Sequence, residues 1–319
     1  MTGVAVSIIN YRTAEMTIAA VGSVLDDLGD RPGPVVVVDN ASGDGSADAI
    51  DAWIADRGDE RVKLVRSATN SGFSGGHNQG MAAAPDADFY LILNSDALLR
   101  PGFFDAIEAA AAAHPKAGLL ACQLEDEDGT PQKSCFRFAG IASELMRGAR
   151  TGLVTKLFQS RVVALDLPPD PSQIEWASFA CILLRGSMVR DIGPMDDGYF
   201  LYFEDAEYAL RARRAGWGAV YDPAARAVHF RGGSGPVKKM QAAMKRMPLY
   251  YWRSRTRFLR QAHGPMGPFL GNLAWLAGRG IAQSRRLLGR AAPPAHENEW
   301  RDIWTGVSRP LKPAPENRP

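Results

Sequence analysis

The sequence predicts an α/β protein built on a mostly parallel, Rossmann-like sheet. Two observations carry this. Short β-branched apolar runs alternate with helical stretches through the first hundred residues, and several of the runs end on a polar or glycine-bearing turn. The composition is that of a globular chain: of 319 residues, 46% are hydrophobic and 23% charged.

Residues 4–9 read as a buried strand, followed by a helix over 13–28. Residues 35–38 are four valines in a row, which suit a pleated surface covered on both faces. A helix over 47–57 leads to a third strand at 62–65. A further helix over 76–84 leads to a fourth strand at 89–93. Strands separated by helices of this length form βαβ units, and right-handed crossovers gather the strand C-termini on one edge, where open α/β sheets bind ligands. The second half is less regular. Pro168, Pro169 and Pro171 mark a loop or seam, residues 179–184 read as a strand, and a helix over 204–215 is capped by Gly216.

From Val237 the character changes. Lys238, Lys239, Lys245, Arg246, Arg253, Arg255, Arg257 and Arg260 accumulate beside Tyr250, Tyr251, Trp252 and Phe258 with no acid among them, and an apolar segment over 269–288 follows. The expected organisation is a main α/β domain over 1–236, with one half at about 1–100 and a second at about 101–236. A basic amphipathic helical extension follows over 237–290, then a flexible tail over 291–319. The extension has two readings: a helical pair packed on the domain, or an interfacial segment on an anionic membrane, which we favour. A formal net charge of +2 gives no case for nucleic acid as a partner. Cys122, Cys135 and Cys181 follow no motif spacing, which points to a reducing cytosol rather than a disulfide framework or a zinc site. The absence of a signal-like segment and of a spanning apolar run gives the expectation of a cytoplasmic protein, peripheral on the inner face of the plasma membrane.

Four polar segments stand at or just beyond the strand ends. Asn10-Tyr11 follows strand one. Asp39-Asn40 opens a turn through Gly43, Gly45 and Ser46, where a carboxylate could accept a hydrogen bond from a base or ribose; a capped turn is the plainer reading. The stretch from Asn70 to Gly80 is dense in glycine, which allows close backbone approach to a ligand at a helix N-terminus. Its glycine spacing does not fit a dehydrogenase fingerprint, and His77 within it reads as a packing histidine. Asn94-Ser95-Asp96 leaves a central strand, where a carboxylate is placed to hold Mg²⁺ or Mn²⁺ together with substrate phosphates.

In this order and spacing, these segments resemble the family 2 glycosyltransferases of GT-A fold, and more closely their bacterial rhamnosyltransferase-like branch. The resemblance covers residues 4–235 and continues through Met195-Asp196, Phe200 to Asp205, and Leu210 to Trp217. It implies that Asp39 sits against the donor's pyrimidine, helped by the backbone near Asn10 and Tyr11 and the side chain of Asn70, with Asn40, Asn78, Asn94 and Ser95 completing the donor site. It implies that Asp96, the last carboxylate of the family's metal motif, binds Mg²⁺ or Mn²⁺, and that His229 completes the metal or diphosphate site. Asn94 replaces the motif's first carboxylate and leaves the metal fewer protein ligands. Asp205, with Glu204 beside it, matches the catalytic base.

The implied activity is inverting transfer from a pyrimidine nucleoside-diphosphate sugar, dTDP-rhamnose first and a UDP-sugar next, to a hydroxyl of a glycan or polyprenyl-linked acceptor in cell-envelope polysaccharide synthesis. Such a reaction needs a carboxylate to take the acceptor proton and a cation to neutralise the leaving diphosphate. For Glu204-Asp205 the competing reading is a solvated first helical turn. Arg211, Arg213 and Arg214 read as helix-surface charges, and Trp176 as a core aromatic rather than a pocket wall. Two rivals differ in class. A sugar-nucleotide nucleotidyltransferase would need a basic glycine-rich loop after strand one, which Asn10 to Thr13 does not offer. A non-catalytic sugar-nucleotide or membrane-binding module would need no base.

Overall fold

The structure, a computed structural model, describes residues 3–230 and 237–308. Its strands are β1 (Val4–Asn10), β2 (Val35–Asp39), β3 (Val62–Arg66), β4 (Phe89–Asn94), β5 (Ala97–Leu99), β6 (Ala117–Glu125), β7 (Cys135–Phe136), β8 (Trp176–Ala177), β9 (Cys181–Arg185) and β10 (Gly218–His229). Helices of the first half are α1 (Ala14–Leu28), α2 (Ser46–Arg57), α3 (Gly72–Ala82), α4 (Phe103–Ala113), α5 (Ile141–Ala149) and α6 (Gly152–Leu157). The later ones are α7 (Gly186–Ile192), α8 (Glu204–Arg214), α9 (Val237–Ala242), α10 (Leu249–His263), α11 (Gly267–Ser284) and α12 (Glu299–Asp302).

Eight strands form one sheet in the order β3-β2-β1-β4-β9-β6-β10-β5, and β7 and β8 form a separate ribbon. β1 to β4 run parallel, as do β6 and β10. β9 is antiparallel to both β4 and β6, and β5 to β10. The period of two explains the double cover. Along β4, Phe89, Leu91 and Leu93 face the core beneath α1 and α4, while Tyr90 and Ile92 face the core holding Met81, Met188 and Tyr208. Burial on both faces is why the strands read as unbroken apolar runs.

The strand and helix positions expected in the first hundred residues recur, but α3 begins at Gly72, four residues earlier than its pattern suggested. β9 overlaps the strand expected at 179–184, but its antiparallel direction is invisible to periodicity, because a doubly covered strand looks the same in either direction. Gly216 has φ +92° just beyond α8, as its capping role requires.

The basic stretch is more internally paired than its sequence suggests. Arg255, 1% exposed, binds Glu144, and Arg257 forks onto Asp196. Arg246 pairs with Asp302. These acids lie far away in sequence, so the run looks unbroken in one dimension only. Residues 291–319 read as a tail; up to 308, the described part folds back, with Ile303 fully buried and its carbonyl accepting from Asn272. Among the described residues no helix is long and apolar enough to cross a membrane.

Candidate active site

A cavity of about 500 Å³ opens at the C-terminal edge of β1, β2 and β4. Tyr11, Asn40, Asn70, Asn94, Ser95 and Asp96 line one side; Glu204, Asp205 and His229 line it from the later elements. Residues separated by more than 100 positions therefore share one chamber, as the strand order demands.

On the donor side the polar residues fall into two layers. Asn10 donates from Nδ2 to Asp39 Oδ1 at 2.7 Å and to the Ser42 and Ser46 hydroxyls, while its Oδ1 accepts from Thr13 and Thr17. Asp39 also accepts from the Ser42 hydroxyl at 2.6 Å. Asn10 and Asp39 are thus buried behind the wall and brace the turn. Asn40 stands at the wall and donates to Asn70 Oδ1 and to the Gly72 carbonyl. Asn78 does not line the cavity; it ties down the Met195 backbone through both amide atoms, at 2.8 and 2.9 Å.

The glycines of residues 70–80 have a different use from the ligand approach their density suggested. Gly76 and Gly80 lie inside α3, where a Cβ would meet Ile9 Cδ1 at 2.7 Å and Ser7 Oγ at 2.1 Å. They let the helix pack directly on β1. Gly72, at φ +71°, leaves room for the Phe200 carbonyl, which accepts from Phe73 N at 2.8 Å. His77 is fully buried, with Nδ1 on the Ser7 hydroxyl at 2.9 Å, and burial pushes its pKa down to about 3. It is a neutral packing group against Phe73, although its ring edge reaches the cavity.

Asp96 follows β4, and His229 ends β10, which pairs with β5 through His229 and Ala97. This pairing sets His229 Nε2 3.6 Å from Asp96 Oδ1. The His229 carbonyl is held by Gln132 at 2.8 Å, and Phe230 N donates to the Asp96 carbonyl at 3.0 Å. A carboxylate and an imidazole facing one cavity at this spacing fit a divalent cation that takes its remaining ligands from phosphate and water. Among the described residues no third His, Cys, Asp or Glu joins them, in keeping with Asn94 at the first motif position. Residues 231–236, which follow His229 and Phe230 along the chain, lie outside the described residues.

Glu204 and Asp205 open α8 after two consecutive non-glycine residues in the left-handed region, Tyr202 at φ 71° and Phe203 at φ 69°. Such backbone costs about 1–3 kcal/mol per residue and clusters at functional sites. Burial pushes the Asp205 carboxyl up to about 7, against the lowering effect of bonds from the Ala206, Asp205 and Phe179 backbone. Burial and then the neighbouring Asp205 raise Glu204 well above the usual range, and its Oε2 has no partner among the described residues. A solvated helical turn would show neither shift.

Sequence reasoning passed over the apolar wall. Phe179, Phe200, Leu201, Tyr202 and Tyr250 also line the chamber. Only Tyr250's place among aromatic residues hinted at this, since the others sit in loops without period. Trp176 lies outside the wall, stacked on Phe136 at 4.3 Å. Arg211 is taken up by Glu207 and two carbonyls, Arg213 pairs with Glu175, and Arg214 holds the Gln261 carbonyl.

A mixed sheet of this order, with a polar chamber at its switch point, is the GT-A fold. Residues 5–152 match the profile of Glycosyl transferase family 2. The chain is similar to an N-acetylglucosaminyl-diphospho-decaprenol L-rhamnosyltransferase of Mycobacterium tuberculosis, 28% identical over 255 residues, covering 72% of this chain and 80% of that protein. It is also similar to rhamnosyltransferase WbbL of Escherichia coli, 24% identical over 163 residues, covering 49% and 60%. Among solved structures, the mannosyltransferase PcManGT of Pyrobaculum calidifontis with GDP-Man and Mn²⁺ superposes with a TM-score of 0.58 at 16% identity, covering 90% of this chain and 76% of that one. Residues 1–349 of S. aureus TarS give 0.54 at 13% identity, covering 90% and 92%.

Proposed function

We propose that this protein is an inverting glycosyltransferase that moves a sugar from a pyrimidine nucleoside diphosphate to a hydroxyl of a lipid-linked glycan. The observation that carries the reading is the Asp205 carboxyl, with a pKa pushed up to about 7, in the same chamber as Asp96 and His229. A base of this strength takes a proton efficiently near neutral pH. Asp96 and His229 would hold Mg²⁺ or Mn²⁺, which when bound neutralises charge on the departing diphosphate.

The step balances simply. The acceptor oxygen bonds to the anomeric carbon, the bond from that carbon to the diphosphate oxygen breaks, and the hydroxyl proton passes to Asp205. Attack from the face opposite the diphosphate inverts the configuration. Asn40, Asn70 and Tyr11 line the donor side, and Phe200, Leu201 and Tyr250 offer the acceptor an apolar wall. The names of the relatives support ranking dTDP-rhamnose first, a UDP-sugar second, and a polyprenyl-diphosphate-linked acceptor in cell-envelope polysaccharide synthesis. The protein would then work peripherally on the inner membrane face.

The test is calorimetric donor binding across dTDP-, UDP- and GDP-sugars with Mn²⁺, combined with transfer assays. Asp96→Ala should weaken metal-dependent donor binding, and Asp205→Asn should abolish transfer while leaving donor affinity intact. Donor binding by the wild type without any transfer or hydrolysis, unchanged in Asp205→Asn, would favour a binding module instead.

A further inference from the structure

We infer that the outer face of α11 is a lipid-docking surface that seats the protein on an anionic membrane. The helix is amphipathic in the inverted sense. Its inward positions are small or polar: Gly271, Asn272, Gly278 and Ala282 are buried, with Trp275 the one large apolar group. Gly278 packs so closely on α5 that a Cβ would lie 2.3 Å from the Leu145 carbonyl. Its outward stripe is Met266, Phe269, Leu270, Leu273, Leu276 and Ile281, the last five 39–46% exposed. From 266 to 276 these positions recur at three- and four-residue spacing, with Ile281 five residues further on, and Arg279, the one charged residue between 266 and 284, is half-buried and donates to the Gly148 carbonyl. In water this arrangement wastes the helix's leucines, whereas lying in a bilayer interface uses them.

Charge selects lipid over a second copy or a protein partner. No acidic residue lies on α11 itself, and exposed Arg286 and Arg290 follow the stripe at its C-terminal end. At 18 residues the helix is about 27 Å long, enough to lie flat across several headgroups. Trp304 packs its ring 6.0 Å from Phe269 and is itself 37% exposed, an amphipathic anchor suited to the headgroup level. The basic aromatic helix α10 is instead largely internal, with Trp252, Phe258 and Arg255 buried.

The surface also stands in register with the chamber. Trp275, on the inward side of α11, belongs to the apolar cluster of Met247 and Trp252, against which Tyr202 and Tyr250 pack. Those two tyrosines line the chamber. One apolar cluster therefore links the docking helix to the acceptor wall. This inference rests on the proposed membrane contact and gives it a location.

The experiment is co-sedimentation of the full chain with vesicles of phosphatidylglycerol and phosphatidylcholine, against phosphatidylcholine alone. The wild type should bind the anionic vesicles, and Leu273→Glu/Leu276→Glu should bind them at least about tenfold more weakly. Arg286→Glu/Arg290→Glu should lose the preference for anionic lipid. Unchanged thermal midpoints and donor affinity show that the variants fold. Three results overturn the inference: no vesicle binding by the wild type, equal binding by the leucine variant, or a wild-type dimer that the leucine substitutions dissociate. Vesicle binding without donor binding would refute the enzymatic reading and leave the docking surface standing.

Discussion

His229 Nε2 and Asp96 Oδ1 face each other at 3.6 Å across the edge where β10 pairs with β5. An imidazole and a carboxylate so placed share a cation better than either holds it alone, and losing one should weaken rather than abolish its binding. For His229→Ala we expect the Mn²⁺ concentration giving half-maximal transfer to rise about tenfold. The maximal rate at saturating Mn²⁺ should fall less. An unchanged Mn²⁺ requirement would remove His229 from the metal site.

Asp205 predicts a pH profile. Its carboxyl, pushed up to about 7 by burial, must lose its proton before it can act, so transfer should rise with pH and level off above that value. Glu204 beside it is also raised well above the usual carboxylate range, by burial and then by the neighbouring Asp205. A folded-state pKa above the unfolded one favours folding at low pH, and that advantage is lost as pH rises from about 4 towards 7 and beyond. Asp205→Asn should therefore lower transfer by at least about a hundredfold. It should also stabilise the protein at pH 8 by roughly 2 kcal/mol. Little of that gain should remain at pH 4, as paired thermal melts would report.

How far the sequence could be read depended on how local the controlling physics was. β1, β2 and β4 were legible because burial on both faces makes each an unbroken apolar run. Asp96 was legible as a candidate because it stands just after a strand, and Asn94 and Asp205 because the segments that hold them resemble the family's pattern. The direction of β9, whose strand was expected at 179–184, and the role of the arginines were not, since direction and ion pairing depend on partners far away: Arg255 finds Glu144, and Arg257 finds Asp196. Asp39 looked like a ligand-facing carboxylate, yet its oxygens are held by Asn10 and Ser42 behind the wall. Which layer a side chain occupies is fixed by packing, and no spacing rule reports it.

Asp196 and Arg257 tie the loop before α8 to the C-terminal helices. The guanidinium forks onto both carboxylate oxygens at 2.7 and 2.8 Å, and the Asp196 side chain is fully buried. Arg257→Met leaves that charge in a low dielectric and should cost about 3–5 kcal/mol. Adding Asp196→Asn should recover at least half of the loss, because the uncompensated charge goes with it. Chemical denaturation of the two variants separates this from a simple packing defect, which the second substitution would not repair. Gly198→Ala should also destabilise, since its Cβ would lie 2.4 Å from the Arg257 guanidinium carbon.

Two helical glycines make opposite predictions from the same substitution. Alanine is favoured over glycine inside a helix by about 1 kcal/mol. At Gly22, in α1, a Cβ meets nothing within 4 Å, so Gly22→Ala should stabilise by roughly 0.5–1 kcal/mol. At Gly80, in α3, a Cβ would lie 2.1 Å from Ser7 Oγ, the hydroxyl that meets His77. Overpacking there costs about 1–3 kcal/mol and outweighs the helical gain. Gly80→Ala should lower the unfolding midpoint and push α3 off β1, and with it the Asn70 to Phe73 wall of the chamber. Its donor affinity should then fall as well, whereas Gly22→Ala should leave donor affinity untouched. Equal midpoint changes in the two variants would mean that α3 does not rest on β1 through that glycine.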